Sequence, residues 1–359
     1  MNLEIIEFIH ENPDWGERLS KAPYCVKVKR EGRFVLLKYE QLNSDLTISL
    51  VRECRGIILD ESEDYRPVCV PFFKFGNFGE SYIPVIDWAT ARIQEKLDGS
   101  LIKLWHYEDE WHVSSNGEID ARNAHVGSLL LSQAQGTNLY ELFMEAWGKT
   151  GISFDNLDKD FNYMFELTSP SNRVIVRYAE TAIHHIGTRD TRTLLECNMD
   201  IGVPKPREYS FGSLEECIDS AKQLGYDEEG YVVVDKNYNR LKVKSLLYVS
   251  LSHISQGVTT LGSVVEIIKK NEKDEFLTYF PEYNEIFEDI KTRIEAFAAR
   301  QTASLMEIQA VNFDSRKVLA AVVVGTECPA CIFALIDGKA ESASDWLMSR
   351  PAHRILDLI

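Results

Sequence analysis

The sequence predicts an α+β protein, with an antiparallel-sheet domain over residues 1–253 followed by a mostly α-helical domain over residues 254–359. Three observations carry that expectation. Up to Lys244 the apolar runs are short and are separated by turn dipeptides such as Glu31-Gly32, Asp98-Gly99 and Asn116-Gly117, the pattern of hairpins. After residue 254 the spacing becomes helical, with Ile286, Ile290, Ile294 and Phe297 on one face. A chain of 359 residues that is 45% hydrophobic is long enough for two cores.

Ile5, Ile6 and Ile9 give a short first helix, which Pro13 stops. Residues 24–29 alternate as a strand, and Glu31-Gly32 turns them into a partner over 34–39. Residues 57–59 read as a buried strand with Arg55-Gly56 at its entrance, and 71–80 as an aromatic-rich loop containing Lys74. Asp98-Gly99 reads as a hairpin turn, since glycine tolerates positive φ; Lys96 then ends one strand, and Leu101, Leu104, Trp105 and Tyr107 belong to the next. Residues 111–115 return and end at Asn116-Gly117. Asn138 and Glu141 form a capping box for a helix over 138–148, whose apolar face is core packing.

Residues 161–167 form a strand with one carboxylate, Glu166, followed by a turn and a strand over 174–178. Another strand covers 182–187, where adjacent His184 and His185 point to opposite faces and make a poor metal pair. Residues 199–212 read as a loop, and Ser213 caps a helix to about Leu224. The hairpin over 228–244 places Lys242 and Lys244 on one face of its second strand, and Glu229, Tyr231 and Val233 on one face of its first. Helices are expected over 262–270, 282–300 and 303–310, with a last one through Trp346 and Ile355; 318–324 and 332–336 are apolar runs of either type.

No run of about 18 apolar residues exists, so no transmembrane helix is expected. The start, Met1-Asn2-Leu3-Glu4, lacks the basic and apolar regions of a signal peptide. Seven scattered cysteines, an odd number, suit reduced thiols in a cytosolic setting. Cys328 and Cys331 form a single CxxC, whereas zinc takes four ligands, so packing is the expected role. A net charge of −17 argues against a surface that coats nucleic acid. It leaves room for a local basic cleft, because phosphate contacts act within about a Debye length.

Glu95-Lys96-Leu97-Asp98-Gly99-Ser100 is the stretch that suits covalent chemistry. A nucleophilic lysine must be neutral, and with an ordinary pKa of about 10.4 very few are at pH 7. Burial or neighbouring cations lower that pKa, and Lys242 and Lys244 are candidates for the latter. The other reading is a surface hairpin with an ordinary lysine. Arg55 suits phosphate with its bidentate fork, or a surface salt bridge. The loop over 71–80 suits base stacking and phosphate contact, or simply covers a core. Glu166 needs a partner in its apolar strand, either a ribose hydroxyl or a cation. Lys242 and Lys244 suit an anion, or form a solvated edge.

In order, Arg55-Gly56, Lys96-x-Asp98-Gly99-Ser100, Glu166, Glu229-Gly230-Tyr231-Val232-Val233 and Lys242-Val243-Lys244 resemble the covalent nucleotidyltransferase superfamily of ligases and capping enzymes. Within it the sequence looks most like the ATP-dependent RNA ligases of the phage RNA ligase 1 type, over about residues 35 to 250. The resemblance implies an ATP-grasp-like adenylation domain in which Lys96 becomes lysyl-AMP and Glu95 contacts adenine through its backbone. It implies that Arg55 and Lys74 hold the outgoing phosphates, that Asn116-Gly117 lies by the ribose, and that Glu166 binds a ribose hydroxyl. Glu229 would position the lysine and the metal, and Lys242 and Lys244 would contact the α-phosphate.

The implied cofactors are ATP and Mg²⁺ (or Mn²⁺). The implied substrate is RNA with 5′-phosphate and 3′-hydroxyl ends, in RNA or tRNA repair, with the helical tail recognising a structured RNA and the protein a monomer away from membranes. One departure stands out. The family often carries a basic residue where this chain has Asn116. A DNA ligase or capping-type relative is the nearest rival, but DNA ligases usually carry arginine where this chain has Leu101, and an oligonucleotide-binding barrel where this chain looks helical. Against an inactive nucleotide- or RNA-binding module stands a suitable residue at every implied charged position.

Overall fold

The computed structural model describes residues 3–40, 43–126, 137–249, 260–269, 273, 276–277 and 281–359. It is α+β. The strands are β1 (Val26–Glu31), β2 (Phe34–Tyr39), β3 (Arg55–Asp60), β4 (Arg66–Cys69), β5 (Arg92–Glu95), β6 (Ser100–Tyr107), β7 (Glu110–Ser115), β8 (Phe161–Thr168), β9 (Ala182–Asp190), β10 (Glu196–Cys197), β11 (Glu208–Tyr209), β12 (Gly230–Val234) and β13 (Arg240–Lys244). They build three sheets, in the orders β1-β2-β3-β4, β10-β9-β8-β6-β7 and β11-β5-β12-β13, and every strand pair is antiparallel. The described residues up to 249 form one compact unit and those from 260 another.

Each sheet is fixed by what covers it. On the first, Leu37, Ile57 and Leu59 pack on Ile5, Ile9, Trp15 and Leu19 of the N-terminal helices. The opposite face sets Leu36 and Ile58 against Trp105 and Tyr107 of the second sheet. That two-sided burial explains the unbroken apolar run over 57–59, which alternation would have interrupted on a half-solvated strand. The second sheet is covered by the helix Leu139–Thr150, whose capping box is complete. Its Phe143 and Trp147 meet Phe165. On the third, Cys217 and Ala221 of the helix Leu214–Ala221 pack against Tyr231, Val233, Leu241 and Val243.

Asp98-Gly99 is not a hairpin turn. β5 and β6, on either side of it, lie in different sheets, so residues 96–99 carry the chain from the third sheet to the second. Glycine is needed there for close approach, since a methyl group on Gly99 would sit 2.3 Å from the Leu167 carbonyl oxygen.

Residues 174–178 form no strand either. The Ile175 and Val176 amides, which a ladder would have used, each donate to Asp98 Oδ2 at 2.7 Å. Tyr248 donates to Asp98 Oδ1 at 2.6 Å, and the Asp98 amide donates to the Tyr178 hydroxyl at 2.9 Å. Asp98 is therefore a buried clamp behind the crossing. Asp98→Ala orphans three donors and is expected to destabilise by about 3 kcal/mol, read as a lower urea midpoint; an unchanged midpoint would show that the clamp is dispensable.

The segment expected as a loop over 199–212 contains the short strand β11, which pairs with β5. The helix Ser49–Glu53 had no clear sequence signal. In the C-terminal unit, the two helices expected over 282–300 and 303–310 are one, Asn284–Gln309, and Phe287 rather than Ile286 is buried beside Ile290, Ile294 and Phe297. Both ambiguous apolar runs are helical, as Arg316–Val324 and Pro329–Ile336. The helices Ala343–Met348 and Ala352–Leu358 follow. No described helix is long and apolar enough to cross a membrane.

Candidate active site

The three sheets meet at a cleft of about 670 Å³. Its wall includes Arg55 at the start of β3, Glu95 and Lys96 at the end of β5, Asn116-Gly117 after β7, Glu166 on β8, and Lys242 on β13. Six of the nine residues expected at a nucleotide site therefore face one cavity. Of the other three, Glu229 and Lys244 stand behind Lys96, in contact through their side chains. Lys74 lies over the Tyr39 ring at 5.4 Å, close enough to Lys242 to act on its charge.

The central contact is an ion triad. Lys96 Nζ donates to Glu229 Oε2 at 2.6 Å, and Lys244 Nζ lies 2.9 Å from Glu229 Oε1. The Glu229 side chain is 3% exposed and that of Lys96 18%. Strict alternation would place Glu229 with Tyr231 and Val233, which face the core. The bend comes from Gly230, whose φ of +139° is open to glycine and strained for other residues. A methyl group on Gly230 would also sit 2.2 Å from the Val243 carbonyl oxygen.

The electrostatics differ from the expectation that Lys242 and Lys244 strip the proton from Lys96. Burial lowers the Lys96 pKa, but Glu229, Glu166 and Asp98 outweigh it, and the net shift is upward. Lys96 is held as an ammonium. It is Lys242 that is pushed well below the ordinary lysine value, by burial and then by Lys74, Arg55, Lys96 and Lys244. Arg55 is also lowered by burial. Burial raises Glu166 to about 7, partly offset by Lys96 and Arg55, and its Oε1 accepts from the Gly99 amide at 3.0 Å. The Glu95 amide donates to the Arg207 carbonyl at 2.7 Å, which leaves that N–H unavailable to a base.

Among the described residues Arg55, Lys74 and Lys242 have no carboxylate within salt-bridge distance. Arg55 and Lys242 lie instead over the Phe75 ring, at 5.4 and 4.6 Å. Arg55 Nη1 and Asn116 Oδ1 are buried without a hydrogen-bond partner. Buried polar groups are rarely left so, and a cluster of unpaired cations calls for an anion. The reading of residues missed two further cations on the wall. Arg240 shares the face of Lys242 and Lys244, so the same alternation would have found it; it is paired with Glu196 at 2.6 Å. Lys38, on β2, had no sequence signal at all.

The family model described as RNA ligase matches residues 53–277, more than half of the chain. The chain belongs to the RNA ligase family. Two relatives agree with that membership. A protein described as a bifunctional polynucleotide kinase/RNA ligase, from Autographa californica nuclear polyhedrosis virus, is 30% identical over 79% of this chain and 43% of its own length. An RNA ligase of Rhodothermus phage RM378 is 24% identical over 68% of this chain and 70% of its own length. The chain thus spans less than half of the baculovirus relative. Among solved structures, an archaeal ATP-dependent RNA ligase aligns over 82% of each chain with a TM-score of 0.45 and 13% identity. A mutant Naegleria gruberi RNA ligase with ATP and Mn covers 46% of this chain and 52% of that one, with a TM-score of 0.35 and 11% identity. Likeness at that level is too weak to bear on the fold or the site of this member of the RNA ligase family.

Proposed function

We propose that this chain is an ATP-dependent RNA ligase that joins a 5′-phosphate to a 3′-hydroxyl through lysyl-AMP at Lys96. The observation that carries this reading is a buried lysine in one cleft with two cations that have no carboxylate partner among the described residues, Arg55 and Lys242, and with Lys74 close enough to act on Lys242. Phosphoryl transfer asks the protein mainly for position and fixed positive charge.

The Lys96 amine, once neutral, attacks the α-phosphorus of ATP; a P–N bond forms, and pyrophosphate leaves against Arg55 and Lys74. An oxygen of the RNA 5′-phosphate then attacks the same phosphorus, the P–N bond breaks, and the amine regains a proton. Finally the RNA 3′-hydroxyl oxygen attacks the 5′-phosphorus and AMP departs. Lys242 and Lys244 neutralise the α-phosphate oxygens, Glu166 accepts from a ribose hydroxyl, Asn116-Gly117 lies by the ribose, and the Glu95 carbonyl faces the base.

Glu229 is the proposed protein ligand for Mg²⁺ or Mn²⁺. Both of its oxygens contact amines, and the described residues hold no cluster of three metal-ligating side chains. With both oxygens already engaged, Glu229 would offer a cation only its remaining lone pairs, and the other ligands would come from nucleotide phosphates and water. Bound there, the cation supplies positive charge at the phosphates.

RNA repair, with a structured RNA such as tRNA as substrate, is the proposed setting, with the chain acting as a monomer in a cytoplasm. The test is to offer a 5′-phosphorylated RNA oligomer beside its DNA equivalent, with ATP and Mg²⁺. Sealing of RNA ends is expected. Preference for an all-DNA nick would move the reading to a DNA ligase, and ATP binding without a covalent adduct would leave only a binding module.

A further inference from the structure

Asn116-Gly117 brings no cation to its side of the cleft, yet an amine stands there. A methyl group on Gly117 would lie 3.0 Å from Lys38 Nζ. Lys38 is half-buried on β2, and it lines the cleft. In the β2–β3 ladder it stands directly opposite Arg55, just after a bulge between Leu37 and Lys38. Neither has a carboxylate partner among the described residues, and the charge acting on Lys38 is that of Lys27 rather than of Arg55. The charged neighbours are otherwise engaged. Lys27 pairs with Glu40 at 3.0 Å, Lys29 with Glu118, and Lys103 donates to the Gly56 carbonyl. Burial and Lys27 lower the Lys38 pKa, as expected of a cation awaiting an anion.

Lys38 also marks a boundary. Together with Gly117 and Glu118 it lines both the cleft and a second cavity of about 560 Å³ along β1 and β2. An anion reaching Lys38 can arrive from either side.

We propose that Lys38 is a phosphate contact on the Gly117 side of the cleft, supplying from β2 the charge that Asn116 does not. The occupant is a phosphate that is not itself transferred to Lys96. It is either the distal phosphates of ATP, entering with the nucleotide, or a backbone phosphate of RNA entering through the second cavity. This inference rests on the nucleotide cleft proposed above.

The experiment compares wild type with Lys38→Met, Lys38→Arg and the double variant Lys38→Met/Asn116→Lys. Four quantities are read: ATP binding by titration, binding of a 5′-phosphorylated RNA oligomer, lysyl-AMP formation, and sealing of RNA already adenylylated at its 5′ end. Loss of one charged hydrogen bond is expected to weaken one arm by about tenfold or more. Weaker ATP binding and adduct formation with unchanged sealing assigns the site to the triphosphate; weaker RNA binding and sealing with unchanged adduct formation assigns it to RNA. Recovery in Lys38→Arg, and on adding Asn116→Lys, is expected in either case. All arms unchanged, equal losses in the Met and Arg variants, or losses explained by a lower melting midpoint would overturn the proposal. Should wild type bind ATP but form no adduct, the ligase reading falls, while Lys38 is still judged on the two binding arms.

Discussion

Lys96→Ala is expected to abolish label transfer from ATP to the protein, and with it ligation that starts from ATP. Sealing of RNA already carrying AMP on its 5′ end should survive, because that step needs no lysyl-AMP. The structure supplies a rival, which makes the experiment sharp. By pKa alone Lys242 is nearer neutrality than Lys96, with burial and four cations acting on it. Lys96 is instead held protonated by carboxylates, Glu229 foremost. Persistent label in the variant would give the chemistry to Lys242. In wild type the sign of the shift fixes a pH trend. A raised pKa means the neutral amine grows about tenfold per pH unit below it, so at saturating ATP adduct formation should climb from pH 6 to 9. A flat profile over that range would mean that loss of the Lys96 proton does not limit the step.

Glu229→Ala is expected to have the second largest effect, on both stability and rate. Its carboxylate is almost wholly buried and pairs with two amines, at 2.6 and 2.9 Å. Removing one partner of a buried ion pair leaves uncompensated charge and costs about 3 kcal/mol or more. Here two ammonium groups would be stranded, so the urea midpoint should fall clearly. Glu229→Gln keeps the volume and should recover part of that loss.

The rate is more informative than the stability. Glu229 is the largest of the influences raising the Lys96 pKa, so in the Gln variant the pH profile of adduct formation should move to lower pH. Its plateau should fall by roughly a hundredfold, the usual cost of losing a positioning charge at a phosphoryl or acyl centre. A higher rate at pH 7 with an unchanged plateau would make Glu229 only a brake on the amine.

How much of this was readable in the sequence depends on the kind of signal. Strand periodicity placed β1, β2, β8, β12 and β13, since alternation records which side chains a sheet buries. It also put Lys242 and Lys244 on one face, between Leu241 and Val243 in the core. The errors share a cause: they depend on partners far along the chain. Asp98-Gly99 has hairpin chemistry, but which strand β5 and β6 each join is decided by β12 and β8. Residues 174–178 look like a strand, but a carboxylate 77 and 78 residues away takes their amides.

The charge balance at Lys96 was misjudged for the same reason. Counting cations in motifs could not show that Glu229 swings past Gly230 to pair with two of them. Lys38 was invisible because its strand belongs to another sheet and its neighbours, Arg55 and Gly117, come from elsewhere in sequence.

The most direct measurement is peptide mapping by mass spectrometry after incubation with ATP and Mg²⁺ and removal of pyrophosphate. An added AMP on the peptide spanning residues 95–101, localised to the side chain at position 96, is the predicted result. AMP on another residue, or no mass gain from a protein that binds ATP, would contradict it.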